Sequence, residues 1–127
     1  MPKILNIIKS AYHGTVEEQD DSPLWITAAI TNAGAGMSVL LRSNAVNYGL
    51  TGQDASGLVI GGIPLSVPPT IDKDVQELMA KGVPVYAVKE DLEARGIDKT
   101  HLLKDINIIS EKEVAKLWDE HDDIWHW

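Results

Sequence analysis

The sequence predicts an α/β fold: a single three-layer domain in which helices cover both faces of a mainly parallel sheet of four or five strands. Short apolar runs alternate along the chain with stretches of helical periodicity, which is the pattern of strands joined by crossover helices. The runs are continuously apolar, as expected for strands buried on both faces. The 127 residues, 44% of them hydrophobic, suit one domain with a substantial core, residues 1–127.

The first predicted elements are a buried strand at 3–10, a polar loop and a helix. Ser22 and Pro23 mark the start of the helix, because Ser is a favoured N-cap and Pro fits the first helical position. The helix is expected to end near Gly34 or Gly36, since glycine readily adopts the left-handed conformation that follows a helix.

The middle of the chain is predicted to hold a second strand at 37–43 and a short helix at 44–50 capped by Asn44. The stretch 51–69 is rich in Gly and Pro around an apolar centre, so it is either a short strand or a packed loop. A long loop inside a compact domain is usually functional or mobile.

The second half of the chain alternates more regularly. A helix at 70–82, capped by Thr70, is followed by a strand at 83–89 and a short helix at 90–96. The last predicted strand is 106–110.

The C-terminal segment combines a helix with three tryptophans. Ser110 is the predicted N-cap of a helix at 111–122. Trp118, Trp125 and Trp127 lie within the last ten residues, and exposed together they would form a costly apolar patch. We therefore expect them to pack on their own domain or on another chain, since tryptophan is a favoured interface anchor.

Charge and residue types exclude several classes of function. The net charge of −8, from 19 acidic and 11 basic residues, would repel a nucleic-acid backbone. No apolar stretch approaches the ~20 residues of a membrane span, and the N-terminus lacks the pattern of a signal peptide. We expect a cytoplasmic protein with no direct nucleic-acid or membrane partner. The sequence has no cysteine, which excludes thiol catalysis and thiolate metal sites.

No metal or other cofactor is predicted. The histidines do not have the spacing of zinc enzymes; His121 and His126 would share a metal only if the tail were helical. The glycines at 34–38 follow a helix instead of opening one, so they do not form a dinucleotide fingerprint. The acidic cluster at 17–21 is interpreted as a solvated loop.

Ligands of parallel sheets bind beyond the carboxyl ends of the strands. Here those ends are followed by 10–13, 42–44 and 88–91, which predicts a pocket there beneath the stretch 51–69. The candidate ligand-binding side chains are His13, Arg42, Asn44 and Lys89. Together with helix N-terminal amides they would suit an anion.

Glu90 and Asp91 are paired acids at a predicted helix N-terminus. The helix dipole stabilises their ionised forms there, which favours a capping role over proton donation. An enzyme that uses His13 with one of these acids is the catalytic alternative.

The segment 85–96 reads VYAVKEDLEARG, an apolar strand that runs directly into a short acidic helix. With the strand at 106–110 and Trp127 in the same order, it resembles the C-terminal signature of the DsrE/DsrF/DsrH superfamily of sulfur-relay proteins, most closely the DsrH/TusB branch. The clear match covers about the last 45 residues. The first half is similar more loosely, through 3–10 and the strand-to-helix junction at 40–46.

The resemblance implies a DsrE-like fold and places Val88 where the catalytic branch carries its persulfide-forming cysteine. A valine cannot hold a persulfide, and members of the DsrH/TusB branch likewise lack that cysteine. The resemblance therefore implies a non-catalytic subunit of sulfur relay. Its partners would be itself, as a homodimer or homotrimer, or Cys-bearing DsrE-like subunits. The alternative is a small-molecule binding protein for an anion.

Overall fold

The structure, a computed structural model, describes residues 2–127. Within this range the strands are β1 (Lys3–Ile8), β2 (Gly36–Leu41), β3 (Val59–Ile60), β4 (Ile63–Pro64), β5 (Val85–Val88), β6 (Asn107–Ile109) and β7 (Asp123–His126). The helices are α1 (Ser22–Asn32), α2 (Ile71–Ala80), α3 (Lys89–Ala94) and α4 (Glu111–Asp119). Shorter 3₁₀ segments span Ser43–Gly49 and Lys99–His101.

The main sheet is parallel throughout. Over residues 2–127 it contains five strands in the order β6-β5-β2-β1-β7. The predicted α/β fold with a mainly parallel sheet is therefore confirmed, with five strands. None of the helices in this part of the chain combines the length and the apolar character that crossing a membrane would require.

The fifth strand, β7, lies in the tail for which the sequence predicted no element. It pairs in register with β1, beginning at Ile4 and Asp123, and the Trp127 amide donates to the Ile7 carbonyl oxygen at 2.8 Å. The expectation that 106–110 is the last strand is therefore wrong. A four-residue edge strand that begins with an aspartate carries little apolar signal, and its partner lies at the other end of the chain.

The sheet has a separate core on each face, because successive side chains of a strand point to opposite sides. The larger core lies under α1, α2 and α3 and includes Ile4 and Ile8 of β1. The smaller core lies under α4 and joins Leu5 and Ile7 of β1 to Leu117. Helices cover both faces, as the three-layer prediction requires.

The stretch 51–69 contains the small antiparallel hairpin β3–β4. Gly61 and Gly62 form its turn with φ values of 58° and 82°. These positive angles suit a two-residue hairpin turn, and glycine adopts them at little cost. The stretch is thus partly strand and partly loop.

The predicted N-cap residue is wrong for α1 and correct for α2. Asp21, rather than Ser22, is the N-cap residue of α1, and its carbonyl oxygen accepts a hydrogen bond from the Trp25 amide at 2.9 Å. Thr70 is the N-cap residue of α2, although its side chain makes no cap hydrogen bond because the hydroxyl donates to the Asp74 carboxylate at 3.3 Å.

The predicted helix at 44–50 is a 3₁₀ segment whose N-cap residue is Arg42 rather than Asn44. By contrast, Ser110 does occupy the N-cap of α4. The Glu113 carboxylate accepts hydrogen bonds from the Ser110 amide at 3.2 Å and from its hydroxyl at 3.0 Å. That start was predicted correctly because the Ser and Glu of a capping box are close in sequence.

Candidate functional site

The carboxyl ends of β1, β2 and β5 lie at one edge of the sheet because these strands run parallel. The segments 10–13, 42–44 and 88–91 follow these ends, so the fold brings the predicted site segments to one edge. Two of the segments are in direct contact: the Ser43 amide donates a hydrogen bond of 2.7 Å to Oδ2 of Asp91.

Val88 is the last residue of β5 and the N-cap residue of α3. Its side chain is fully buried, at 0% exposure, and belongs to the smaller core together with Leu40 and Val114. A sulfur-carrying thiol has to meet both a donor and an acceptor of sulfur, which requires access from solvent. The side chain at this position serves as a core residue.

Glu90 and Asp91 accept hydrogen bonds from the starts of neighbouring elements. Both carboxylate oxygens of Glu90 lie 3.1 Å from the amide nitrogen of Glu111, the first residue of α4. The Asp91 carboxylate accepts a hydrogen bond from the amide of Ser43 at the start of the 3₁₀ segment. Free amides at such starts need acceptors, so these acids act as caps, although for neighbouring elements rather than for α3 itself.

The predicted cationic and amide ligands at this edge have protein partners. Nη2 of Arg42 lies 2.6 Å from Oε1 of Glu111. Oδ1 of Asn44 accepts hydrogen bonds from Nε and Nη2 of Arg95 at 3.1 and 2.8 Å. Lys89 is exposed, and its ammonium lies 3.9 Å from a glutamate carboxylate one helical turn on. A role of these side chains in ligand binding stays a prediction.

His13 lies in the loop after β1, and its contacts are local. Its Nε2 is 3.0 Å from the carbonyl oxygen of Ser10, and its ring meets that of Trp127 edge-on with centroids 6.5 Å apart. Its backbone amide donates to Oδ2 of Asp21 at 3.0 Å. These contacts account for the position of the loop. None of them pairs His13 with Glu90 or Asp91, the acids of the catalytic alternative.

Asp21 is buried, at 1% exposure, so the interpretation of 17–21 as a solvated loop is wrong for this residue. Its Oδ2 accepts a hydrogen bond of 2.6 Å from the Tyr48 hydroxyl in addition to the one from the His13 amide. Its position directly before Ser-Pro favours an aspartate N-cap, but its neighbours in the sequence carry no signal of burial.

Two tyrosines adjoin this carboxylate. The rings of Tyr12 and Tyr48 pack edge-on with centroids 4.9 Å apart. Burial, and then the hydrogen bond to Asp21, raise the pKa of Tyr48 above its ordinary value of 10.0. Partial desolvation, followed by the Asp21 charge, also raises the pKa of Tyr12, which lies at the surface. Both phenols are therefore neutral hydrogen-bond donors at neutral pH.

The predicted interface tryptophans lie on opposite faces of the sheet. Trp125 packs against the larger core, and the Trp127 indole donates a hydrogen bond to Oδ1 of Asn6 on the α1 side. Trp118 is on α4, where its ring packs against His126 with centroids 5.5 Å apart. The tryptophans therefore do not form one continuous patch, although Trp118 and Trp127 remain 40% and 38% exposed.

No group of three or more His, Cys, Asp or Glu side chains in residues 2–127 is arranged to hold a metal ion. His126 lies in a strand, so the helical tail in which it would have shared a metal with His121 does not form.

The comparisons with known proteins agree with this architecture. A family model described as DsrH like protein matches residues 62–124. No curated protein sequence is significantly similar to the chain.

Solved structures show the same fold over the whole chain. The ychN protein from E. coli is 24% identical, with 100% of both chains covered and a TM-score of 0.76. MTH1491 from Methanobacterium thermoautotrophicum, a protein of unknown function, is 20% identical, with 98% of this chain and 99% of that chain covered and a TM-score of 0.64. At these identities the likeness establishes the fold alone. The resemblance indicated by 85–96 is confirmed by the family model, because the DsrH-like match over residues 62–124 includes that segment.

Proposed function

We propose that this chain is a non-catalytic, cysteine-free DsrH-like subunit of cytoplasmic sulfur relay, which acts by assembling with itself or with Cys-bearing DsrE-like subunits. The DsrH-like match over residues 62–124 supports the connection with sulfur relay. The lack of cysteine in the sequence supports a role in which another subunit carries the sulfur, because persulfide chemistry requires a thiolate.

The observation that carries the proposal is the burial of Val88. The resemblance implies that catalytic relatives hold their cysteine at this strand end. In this chain the position has 0% exposure and belongs to the core with Leu40 and Val114. A buried aliphatic side chain here stabilises the β5–α3 junction by removing apolar surface from water. This supports a structural rather than a chemical role for the junction.

Exposed aromatic side chains on the α1 side of the sheet support a role in assembly. Trp25 and Trp127 are 60% and 38% exposed, and with Ile26 they line a shallow depression. We name Trp25, Ile26 and Trp127 the indole surface. Neighbouring exposed indoles are the kind of anchor that dominates interface energy. Trp127 is one of the interface residues that the sequence predicted, whereas Trp25 is not.

The test is co-expression with a Cys-bearing DsrE-like protein, followed by size-exclusion chromatography with light scattering at micromolar concentration. We expect a stoichiometric complex or a homo-oligomer, and a persulfide that stays on the partner's cysteine. Trp25→Ser should weaken the assembly. Trp118→Ser, on the opposite face, is the matched control and should not.

Two outcomes would contradict the proposal. One is a chain that stays monomeric both alone and with such partners. The other is sulfur transfer by this chain in the absence of any thiol-bearing subunit.

The anion-binding alternative lacks a specific observation in its favour. Arg42 is neutralised by Glu111, and Arg95 is held by Asn44. Lys89 is exposed at the surface, where its charge is well solvated. We therefore propose assembly as the function.

A further inference from the structure

A cavity of about 420 Å³ lies between the loop after β1, the stretch 51–69 and the start of α2. Its size is within the range of small-molecule sites in proteins. Its walls come from three parts of the chain and include Tyr12, Gly14, Gln19, Asp21, Gln53, Asp54, Ala55, Leu58, Ile60, Leu65, Pro69 and Ile71. The cavity belongs to the larger-core side of the sheet, because Ile71 is part of that core, whereas Val88 belongs to the smaller core.

The wall is mostly apolar, and its charged groups have one sign. Leu58, Ile60 and Leu65 from the hairpin region supply aliphatic surface. The ionisable carboxylates in the wall are those of Asp21 and Asp54, and no Lys, Arg or His is among the lining residues of the described chain. An anion would therefore meet only like charge, whereas a cation with an apolar body would match both features of the wall.

The two carboxylates differ in exposure, and together they define where a cation would lie. Asp21 is 1% exposed, and its Oδ1 has no hydrogen-bond partner among the described residues. A buried, incompletely bonded carboxylate is screened little by solvent, so its negative charge acts across the cavity. Asp54 is exposed and is free to contact a ligand directly at the rim of the cavity.

Tyr12 adds a third feature. Its side chain is 51% exposed and forms part of the wall, with its hydroxyl held by a 2.7 Å hydrogen bond to Oε1 of Gln53. Aromatic faces attract organic cations. An ammonium group near the rim would thus lie between an aromatic ring and the carboxylates.

We propose that this cavity binds a small organic ammonium ion, with its apolar body against Leu58, Ile60 and Leu65 and its ammonium group between Tyr12, Asp21 and Asp54. The site is separate from the Val88 junction, and its occupancy does not depend on the assembly proposed above. It has the opposite charge preference to the anion site that the sequence predicted.

Three probes of similar size and different charge test the proposal: 2-phenylethylammonium, 2-phenylethanol and 3-phenylpropionate. Binding is measured with the full chain by calorimetry and by ¹H–¹⁵N spectra, which report the residues that respond. We expect the ammonium to bind most tightly and the carboxylate least, with shifts at Tyr12, Ile60 and Leu65. Salt should weaken the ammonium complex and leave the alcohol complex unchanged.

Asp54→Asn has a closely matched control. Oδ1 of Asp54 accepts a hydrogen bond of 2.8 Å from the Ser56 amide, and Oδ1 of Asp98, outside the cavity, accepts one of 2.9 Å from the Thr100 amide. Asp54→Asn should weaken ammonium binding about two- to fivefold, as expected for a solvent-exposed ion pair. Asp98→Asn should leave it unchanged.

A second pair of variants tests the apolar wall. Ile60→Ser should weaken the binding of both the ammonium and the alcohol. Val59→Ser, at the neighbouring position outside the lining, should weaken the binding of neither probe. The proposal is overturned if the carboxylate binds as tightly as the ammonium, if Asp54→Asn and Asp98→Asn behave alike, or if millimolar ammonium probe shifts no cavity residue.

Discussion

The hydroxyl of Tyr48 donates a hydrogen bond of 2.6 Å to Oδ2 of Asp21, and both residues are buried. The bond joins the 3₁₀ segment after β2 to the residue that caps α1. The same carboxylate oxygen accepts the His13 amide. One buried aspartate therefore links the loop after β1, the 3₁₀ segment and the start of α1, and it also lines the proposed cavity.

Tyr48→Phe should lower the free energy of unfolding by about 1–3 kcal/mol, because Asp21 would lose a buried donor and keep its buried charge. Urea denaturation at neutral pH measures this change. Tyr86→Phe, at a half-buried position of the smaller core, is the matched control and should have a smaller effect. Equal losses in the two variants would show that the hydroxyl of Tyr48 contributes no more than that of Tyr86.

The same pair should make stability depend on alkaline pH. Burial and the bond to Asp21 raise the pKa of Tyr48 in the folded state above 10.0, so the folded chain holds this proton more tightly than the unfolded chain. The resulting stabilisation is complete below about pH 10 and declines as the pH rises further, by at most about 1.4 kcal/mol per pH unit. The stability difference between the wild type and Tyr48→Phe should stay constant from about pH 8 to about pH 9 and be smaller at about pH 11. A difference that stays constant up to about pH 11 would contradict the assignment.

Val88→Cys should produce an unreactive thiol. Val88 has 0% exposure, and a thiol buried in apolar surroundings ionises poorly. Lys89→Cys, at the exposed neighbouring position, is the control and should react with maleimide and with a persulfide donor much faster, as followed by mass spectrometry. If Val88→Cys reacted faster than the control, the junction would be suited to sulfur chemistry after all.

Trp127→Phe should destabilise the fold even though the side chain is 38% exposed. The indole N–H of Trp127 donates to Asn6, which is fully buried, so its loss leaves Asn6 Oδ1 without that donor at a cost of about 1–3 kcal/mol. We compare the thermal unfolding of this variant with that of Trp118→Phe. Both variants have a smaller ring, so the comparison isolates the effect of the lost hydrogen bond. A lower Tm is expected for Trp127→Phe, and equal Tm values would refute the role of the bond.

Asp74→Asn should increase stability at neutral pH. Burial is the main cause that raises the pKa of Asp74, and Glu77, Asp20 and Asp21 add to it, so the folded chain tolerates the charge less well than the unfolded chain. The gain should disappear as the pH falls towards about 3, where the carboxyl is protonated in both states. Asp72→Asn, in the same helical turn, should instead remove a favourable charge from a helix N-terminus. Chemical denaturation at neutral pH and at about pH 3 shows whether each variant gains or loses stability.

The sequence by itself determined the α/β class and the DsrH-like resemblance. A strand covered on both faces is mostly apolar, so β1, β2 and β5 are visible as apolar runs, interrupted by the buried polar residues Asn6 and Ser38. The segment 85–96 carries its signature in consecutive residues. Ser110 and Glu113 likewise specify the start of α4 locally, because their side chains are only three positions apart.

Only the tertiary structure decided the position of β7, the burial of Asp21 and the cavity. The edge strand β7 depends on hydrogen bonds to β1 from the opposite end of the chain. Asp21 has the sequence context of a solvated acid, and its main donor, Tyr48, is 27 positions away. The cavity has walls from segments up to 59 positions apart, from Tyr12 to Ile71. Contacts between residues so far apart leave no periodic pattern in the sequence. The two residues of such a contact become neighbours only when the chain folds.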